Sequence, residues 1–206
     1  KGYTKEALIN FLALLGWHEK GDREIYNFNE LIESFSLERV SKSGAVFDVQ
    51  KLKSFNNYYI KNYSVNQLQI LLNDFYRKEN LFSNAMIELV KDKVDTFDDF
   101  KKSLDFFFLE FIKLNDDDQK YIKSDLSIAI LTAFLNQLQN FQNEDKLELN
   151  LIIKLIQKNI ECNPKDIWKT LRLALTGQSH GPSLNDIINI YGINKVIKLI
   201  TPHVPK

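Results

Sequence analysis

The chain has 206 residues, of which 44% are hydrophobic and 12% aromatic, and its 27 basic and 27 acidic side chains cancel. This composition excludes a disordered chain, because disordered chains lack the apolar surface that offsets the entropy of ordering. A single cysteine, Cys162, excludes an internal disulfide, and no apolar run approaches the ~20 residues of a membrane span. We therefore expect a cytoplasmic protein with no membrane segment.

The charges are distributed unevenly along the chain. Residues 1–73 hold 9 basic and 8 acidic groups, residues 74–148 hold 10 and 16, and residues 149–206 hold 8 and 3. A basic end behind an acidic middle is typical of a surface that meets a polyanion, since long-range charge steers encounters. Ordinary variation in composition explains the same gradient equally well.

Glycine and proline are confined to the two ends of the chain. All seven glycines and four prolines lie within residues 1–44 or 164–206, which leaves the 119 residues 45–163 with neither. Hairpins usually need glycine-containing turns, so this stretch indicates helices joined by polar caps. The sequence predicts an all-α fold, an elongated helical bundle or cage of two or three sub-domains with roughly nine or ten helices.

Capping residues locate the first helices. We expect a helix from Thr4 to Leu15 that stops at Gly16, because glycine is common where helices end. Ser64 and Gln67 have the spacing of a capping box before an apolar period of helical type.

A further helix is expected to begin at Thr96 with Asp99, a pair that can satisfy the first backbone amides. Its apolar residues at helical spacing predict one broad buried stripe. The members of that stripe are Phe100, Leu104, Phe107, Phe108 and Phe111.

The last third of the chain is divided by clear start and stop signals. Asn163-Pro164 predicts a cap and first turn, and Gly177 predicts the end of that helix. Ser183 predicts the cap of the next helix, which Gly192 ends.

Motifs of known catalytic chemistry are missing from the sequence. It contains no Gly-x-Gly-x-x-Gly, P-loop, Gly-x-Ser-x-Gly or His-Glu-x-x-His pattern. Its three histidines are far apart along the chain, and Cys162 is more typical of a buried thiol than of a nucleophile. We therefore predict no catalytic residue and no metal site.

Three segments resemble bacterial glutamyl-tRNA synthetases. Residues 2–17, GYTKEALINFLALLGW, are similar to the stretch that follows the KMSKS signature of that family. Residues 35–48, continued by 51–52 and 56–60, resemble its stem-contact region. Residues 171–184, LRLALTGQSHGPSL, resemble its C-terminal anticodon-binding segment.

This resemblance implies the C-terminal half of a class I enzyme that joins glutamate to its tRNA using ATP. The catalytic domain, which holds ATP and Mg²⁺, is expected to precede Lys1, so the chain alone is expected to be noncatalytic and without a cofactor. Residues 1–70 would contact the tRNA stem and residues 71–206 the anticodon, with a sub-domain break near 163. The implied partner is tRNA(Glu), and the implied state is a monomer.

The resemblance also implies roles for single residues. Positions that match Arg172, Gly181, Pro182 and Leu184 approach the anticodon in the family. A guanidinium suits base edges or phosphate because its donors are planar. Without the resemblance, Arg172 is equally a surface or capping arginine, and Gly181-Pro182 is an ordinary turn between helices.

Lys93 departs from the family pattern. Discriminating members carry an arginine at the matching position, which contacts the third anticodon base. An ammonium lacks the bidentate fork, so Lys93 implies an enzyme that accepts tRNA(Gln) as well as tRNA(Glu). The alternative is a solvated lysine with no role.

Four cations of the stem-contact segment are candidate phosphate ligands: Arg39, Lys42, Lys51 and Lys53. Phosphate contacts give affinity with little sequence preference. Ordinary surface side chains are the alternative for all four. Ser41-Lys42-Ser43 imitates the end of KMSKS but lies within the stem-contact pattern, so it is not assigned to ATP. For the chain as a whole, a helical protein-interaction scaffold remains the second hypothesis.

Overall fold

A computed structural model of the chain describes residues 1–19, 21–41, 44–140 and 148–205. Within these ranges the chain forms twelve α-helices and four 3₁₀ turns, and its one β-bridge joins Trp17 to Val40. The all-α fold class is thereby confirmed. No helix in the described part of the chain has the length and apolar character needed to cross a bilayer.

The chain divides into two compact units, Lys1–Ser103 and Leu104–Lys206, called unit 1 and unit 2 below. The two units are defined by how compactly their residues pack. The boundary expected near residue 70 separates regions by their resemblance to tRNA-contacting segments, and it stays a prediction.

Unit 1 combines helices of 7 to 14 residues with irregular segments. Its elements are α1 (Lys5–Gly16), α2 (Phe28–Ser34), η1 (Leu37–Arg39), α3 (Val49–Asn62), α4 (Val65–Tyr76), α5 (Asn84–Val90), η2 (Lys91–Lys93) and α6 (Phe97–Leu104), which ends at the unit boundary. Thr4 caps α1, and Ser64 with Gln67 forms the expected capping box of α4. The local signals for these helices are therefore confirmed.

Two buried amide side chains connect the irregular segments of unit 1 to its helices. Asn10 accepts a hydrogen bond from the Tyr26 amide and donates one to the Glu24 carbonyl, both at 2.8 Å. Asn56 accepts a 2.7 Å hydrogen bond from the Thr4 amide. These bonds satisfy backbone groups that lie outside regular helices, which buried groups require.

Unit 2 packs helices of 7 to 16 residues around a shared apolar core. Its elements are η3 (Asp105–Phe108), α7 (Asp116–Ile122), α8 (Asp125–Asn140), α9 (Leu149–Asn159), α10 (Pro164–Thr176), α11 (Leu184–Tyr191), α12 (Ile193–Ile200) and η4 (Thr201–His203). Helix α10 packs against α7, α8, α9, α12 and η3. Buried aliphatic side chains from α7 to α12 form a continuous cluster around it.

The capping signals of unit 2 are also confirmed. The Asn163 side chain accepts a hydrogen bond at the start of α10, whose first residue is Pro164. Gly177 ends this helix with φ +69°, in the left-handed region that favours glycine. Ser183 caps α11, and Gly192 follows its last residue.

The prediction of one broad helical stripe after Thr96 is correct for its first part, within α6, and wrong beyond it. Helix α6 ends at Leu104, and the chain continues as the 3₁₀ turn η3. The Phe106 carbonyl accepts a 3.4 Å hydrogen bond from the Leu109 amide, three residues on as in a 3₁₀ turn, and a 2.9 Å one from the Tyr191 hydroxyl. Beyond η3, Ile112 and Leu114 pack against the core of unit 2, whereas Phe111 is 70% exposed.

Candidate nucleic-acid interface

The loop of residues 177–183, called the α10–α11 loop below, is exposed to solvent in its middle. Residues 178–181 are exposed, whereas Pro182 is buried. The loop begins at Gly177, whose amide donates a 2.9 Å hydrogen bond to the Leu173 carbonyl. The Thr176 hydroxyl then accepts a 3.2 Å hydrogen bond from the Gln178 amide. These bonds fix the first residues of the loop to the end of α10.

Arg172 lies on the last full turn of α10, and its guanidinium reaches the underside of the loop. Its Nη1 atom is buried and has no hydrogen-bond partner among the described residues. Burial lowers the pKa of the Arg172 guanidinium below its usual value, although an arginine in a protein keeps its charge. A buried charged donor without an acceptor is costly, so the geometry favours a ligand that supplies an oxygen or a ring nitrogen.

Gly181 is the loop residue that covers this guanidinium. A Cβ atom built on Gly181 would lie 3.3 Å from Nη1 of Arg172 and 3.6 Å from Oε1 of Gln178. Its φ of +153° also lies at the edge of the region that side chains rarely adopt. Glycine thus lets the loop backbone lie close over the guanidinium and lets a ligand approach that backbone closely.

The other two residues expected at this site lie inside the unit. Pro182 is buried, and Leu184 is 2% exposed within the core of unit 2. The structure therefore brings Arg172 and Gly181 together at the loop, while Pro182 and Leu184 anchor the loop from below. Anticodon binding by all four stays a prediction, and burial limits the last two to shaping the loop.

A second segment, residues 109–113, lies against the start of the loop. A Cβ atom built on Gly177 would lie 2.8 Å from the Lys113 carbonyl oxygen and 3.0 Å from Cγ2 of Ile112. The two backbones approach so closely that only glycine fits. The sequence hypothesis missed this segment, because its periodicity assigned Phe111 to a buried helical stripe.

Tyr191 and Lys195 hold η3 against the end of α10. The Tyr191 hydroxyl lies 2.9 Å from the Phe106 carbonyl oxygen and 3.1 Å from that of Leu175. The Lys195 ammonium donates to the Phe107 carbonyl at 2.7 Å and lies 4.7 Å from the centre of the Tyr191 ring. Burial raises the pKa of Tyr191 and lowers that of Lys195, as expected for polar groups taken from water.

The candidate stem-contact cations of unit 1 differ in their surroundings. Lys51 forms an ion pair with Glu24, so part of its charge is already compensated. Arg39 ends η1, and Lys53 lies on α3; both are half-buried, and neither has an ion pair within 4 Å among the described residues. Lys42 lies outside the described residues. Phosphate binding by these cations stays a prediction.

Lys93 ends η2 and is exposed. It belongs to unit 1, whereas Arg172 and Gly181 belong to unit 2. The structure therefore does not bring the five expected anticodon residues together within one unit.

The structure also places the candidate metal ligands and the one cysteine. No cluster of three or more histidine, cysteine or carboxylate side chains that could hold a metal occurs there. Cys162 is half-buried, and burial followed by the charge of Asp166 raises the pKa of its thiol. A raised pKa suppresses the thiolate, so this cysteine is a poor nucleophile.

Comparison with protein families agrees with this arrangement. Residues 50–201 match the family described as "Anticodon binding domain", and residues 1–54 match "tRNA synthetases class I (E and Q), catalytic domain". The fold and the matched region define a helical anticodon-binding module. The chain belongs to the anticodon-binding domain family of the glutamyl-tRNA synthetases, which confirms the resemblance found in the sequence.

Individual relatives support the same assignment. The chain is 37% identical to "Glutamate--tRNA ligase 1" of Caldicellulosiruptor saccharolyticus, over 96% of this chain and 43% of the relative. It is 32% identical to "Glutamate--tRNA ligase" of Natranaerobius thermophilus, over 97% of this chain and 43% of that protein. The chain thus spans less than half the length of these curated relatives.

A solved structure shares the fold. The crystal structure of a glutamate tRNA ligase from Elizabethkingia meningosepticum, in complex with its amino acid, matches with a TM-score of 0.83. The match covers 98% of this chain and 41% of that one at 24% sequence identity. At this identity the likeness speaks for the fold alone.

Proposed function

We propose that this chain is the tRNA-binding part of a glutamate–tRNA ligase and that it receives the anticodon of tRNA(Glu) on the α10–α11 loop. The observation that carries the proposal is the buried, unpartnered Nη1 of Arg172 beneath Gly181, within the region that matches the anticodon-binding family. The whole ligase attaches glutamate using ATP and Mg²⁺, and this chain contributes no residue to that step. It acts as a monomer in the cytoplasm.

The chemistry of the loop suits an unstacked base. Sequence-specific RNA recognition works on single-stranded loops whose bases are splayed out, so that proteins can contact their edges. A guanidinium can donate two parallel hydrogen bonds to a base edge, and a ligand acceptor would satisfy the buried donor of Arg172. The glycine cover over Arg172 lets a base come close to the backbone.

Unit 1 supplies a different kind of contact in this proposal. Residues 1–70 contact the tRNA stem, and Arg39, Lys42 and Lys53 neutralise phosphates there. Lys51 contributes less, because Glu24 already occupies its ammonium group. Phosphate contacts hold and orient the RNA without reading its sequence.

Lys93 makes the proposed enzyme tolerant of a second tRNA. A lysine cannot supply the paired donors of an arginine, so it discriminates less between bases. We expect the chain to bind tRNA(Gln) nearly as well as tRNA(Glu), and Lys93→Arg to weaken only the former. Competition binding with the two transcripts tests this, and strict rejection of tRNA(Gln) by the parent would contradict it.

The second candidate function is a helical protein-interaction scaffold. It is favoured by the large exposed apolar side chains of unit 1, such as Leu37 at 78% and Val46 at 85% exposure. Exposed apolar patches mark protein interfaces as well as other contact surfaces. A scaffold would bind no tRNA, so one binding assay separates the two functions.

Electrophoretic mobility shift with a tRNA(Glu) transcript tests the proposed function. We expect Arg172→Ala to weaken binding about tenfold or more, since a hydrogen bond to a charged donor is worth about 1.5–3 kcal/mol. Arg172→Lys should recover little, because an ammonium has no planar fork. The matched control is Lys154→Ala, which removes an exposed cation from α9 and should change affinity less than about twofold. Failure of the parent chain to bind tRNA would contradict the proposal and favour the scaffold.

A further inference from the structure

Phe111 is the most exposed large apolar side chain described in unit 2. Its exposed fraction is 70%, against 44% for Leu151 and 37% for Leu126 in the same unit. Single exposed apolar residues are common on proteins, so exposure alone assigns no role. Its position relative to the α10–α11 loop supplies the second observation.

Phe111 directly precedes the two residues that touch that loop. Ile112 and the Lys113 carbonyl pack against Gly177, at the distances given above. Consecutive Cα atoms are about 3.8 Å apart, so the Phe111 backbone lies within one or two residues of this contact. Gly177 in turn is four residues from Gly181, which covers the Arg172 guanidinium. The segment that carries the exposed ring therefore borders the start of the α10–α11 loop, and this segment is called the rim below.

The composition of this rim suits single-stranded RNA. Lys113 is exposed two residues after Phe111, which places an aromatic ring and a cation on one short segment. Proteins that hold unstacked nucleotides combine such rings, on which bases stack, with cations that follow the phosphates. Both side chains are exposed, so neither of them is needed to fill the core.

We propose that Phe111 is a stacking platform for one of the three anticodon bases whose edges the α10–α11 loop receives. This inference rests on the proposed function and assigns a base-binding residue to it. A phenyl ring offers an apolar face and no hydrogen-bond donor, so it holds any base with similar strength. Phe111 therefore contributes affinity, while Arg172 contributes the choice of base.

Substitutions at Phe111 separate stacking from mere apolar contact. We expect Phe111→Ala to weaken binding of a labelled tRNA(Glu) transcript about tenfold, measured by fluorescence anisotropy. Phe111→Leu should lose about as much, because leucine has no planar face, and Phe111→Trp should bind at least as tightly as the parent. The matched control is Leu151→Ala, an exposed apolar side chain on α9, which should bind within about twofold of the parent. Far-ultraviolet circular dichroism of each variant verifies that it is folded.

Abasic transcripts then identify the stacked base. Each anticodon nucleotide is replaced in turn by an abasic one, and each transcript is titrated with the parent and with Phe111→Ala. At one of the three positions, the affinity lost when Phe111→Ala is combined with the abasic nucleotide should be smaller than the product of the two separate fold-losses. The ring and the base that it holds act there as a pair. Losses that multiply at all three positions would overturn the inference.

The outcomes also distinguish this inference from the proposed function. A parent chain that binds no tRNA(Glu) overturns both. A parent that binds, with a loss in Arg172→Ala but none in Phe111→Ala, overturns the stacking platform alone. The stacking platform is also overturned if Phe111→Ala weakens binding but Phe111→Leu binds as tightly as the parent, since an aliphatic group would then suffice.

Discussion

The two units reach stability by different means. In unit 2 the core is one aliphatic cluster around α10, a helix of 13 residues. In unit 1 the apolar core includes smaller separate clusters, and the buried amides of Asn10 and Asn56 bind backbone groups of the irregular segments. Backbone groups of irregular segments have no partner within a helix, so these segments of unit 1 depend on specific polar contacts.

The difference extends to the surface. Among the described residues, unit 1 exposes twelve large apolar side chains and unit 2 exposes four. In the proposed function, unit 1 holds the RNA mainly by its phosphates, with Lys93 as its candidate base contact, and unit 2 contacts bases through the α10–α11 loop. The unit whose irregular segments are held by buried polar side chains thus has a mainly electrostatic role. The unit with the aliphatic core has a role in base recognition.

The largest effect on stability is expected at Asn56. It is fully buried, it accepts hydrogen bonds from the Thr4 amide and hydroxyl at 2.7 and 3.0 Å, and it donates one to the Asp95 carbonyl at 2.5 Å. We expect Asn56→Leu to lower the free energy of unfolding by about 3–5 kcal/mol, because it leaves several buried groups unsatisfied. Urea denaturation followed by circular dichroism measures this value.

The matched variant in unit 2 is Thr170→Val. Thr170 is equally buried, but its hydroxyl forms a longer hydrogen bond, of 3.3 Å, with the hydroxyl of Ser127. We expect this variant to cost about 1 kcal/mol or less. A cost equal to that of Asn56→Leu would contradict the difference between the two units.

The next largest effect is expected at Gly177. An alanine there would place its Cβ 2.8 Å from the Lys113 carbonyl oxygen at a φ of +69°, so we expect a loss of about 2–4 kcal/mol. Gly16 is the control, because it has no atom within 4 Å of a built Cβ and lies at the end of α1. Thermal melts of both variants test this, and we expect Gly16→Ala to stay within about 0.5 kcal/mol of the parent.

A smaller, pH-dependent effect is expected at Tyr59. Its hydroxyl oxygen lies 2.8 Å from Oδ1 of Asn10 and 2.7 Å from the Tyr26 carbonyl oxygen, and its one proton is shared between these two acceptors. Burial, and then nearby acidic groups, raise its pKa from 10.0 to about 12. Because the folded state holds this proton more tightly, the stabilisation is complete below pH 10 and is lost as the pH rises toward 12.

Tyr59→Phe removes this contribution and should cost about 1–2 kcal/mol at pH 8. The unfolding free energy of the parent should then fall more steeply than that of the variant between pH 10 and 12. Tyr58→Phe, at a neighbouring ring that is 47% exposed, controls for the loss of a hydroxyl. Parallel curves for the parent and Tyr59→Phe would rule out the buried hydroxyl as the cause.

The smallest effect concerns the salt dependence of tRNA binding. Each phosphate contact contributes a slope of about one in a plot of log affinity against log salt. We expect Lys53→Ala to reduce the slope by about one and Lys51→Ala to reduce it by less, because Lys51 is paired with Glu24. Filter binding across a salt series measures both slopes. Unchanged slopes would contradict phosphate binding by Lys51 and Lys53 of α3.

Local signals in the sequence predicted the helix ends well. Thr4, Ser64, Asn163 and Gly177 mark helix ends through neighbours three or four residues away, so the sequence contains all the information they need. The helix number was underestimated, with twelve found among the described residues against roughly nine or ten expected, because short helices such as α5 carry too few turns for a clear period.

Distant contacts were beyond the sequence patterns. The Tyr191 hydroxyl meets the Phe106 carbonyl across 85 residues, and this contact belongs to the turn that replaces the expected long helix. The same holds for the site, because family-like residues pointed to Arg172 and Gly181 but not to Phe111. Its exposure follows from where η3 ends, which the apolar period alone cannot predict.

Chemical probing of tRNA(Glu) bound to this chain tests the central claim most directly. The transcript is modified at its base edges with and without the parent chain and with Arg172→Ala at saturating concentration. The account predicts that the parent protects the three anticodon nucleotides and that Arg172→Ala loses part of this protection while stem contacts persist. An anticodon that stays fully reactive in the complex, or protection that does not depend on Arg172, would contradict it.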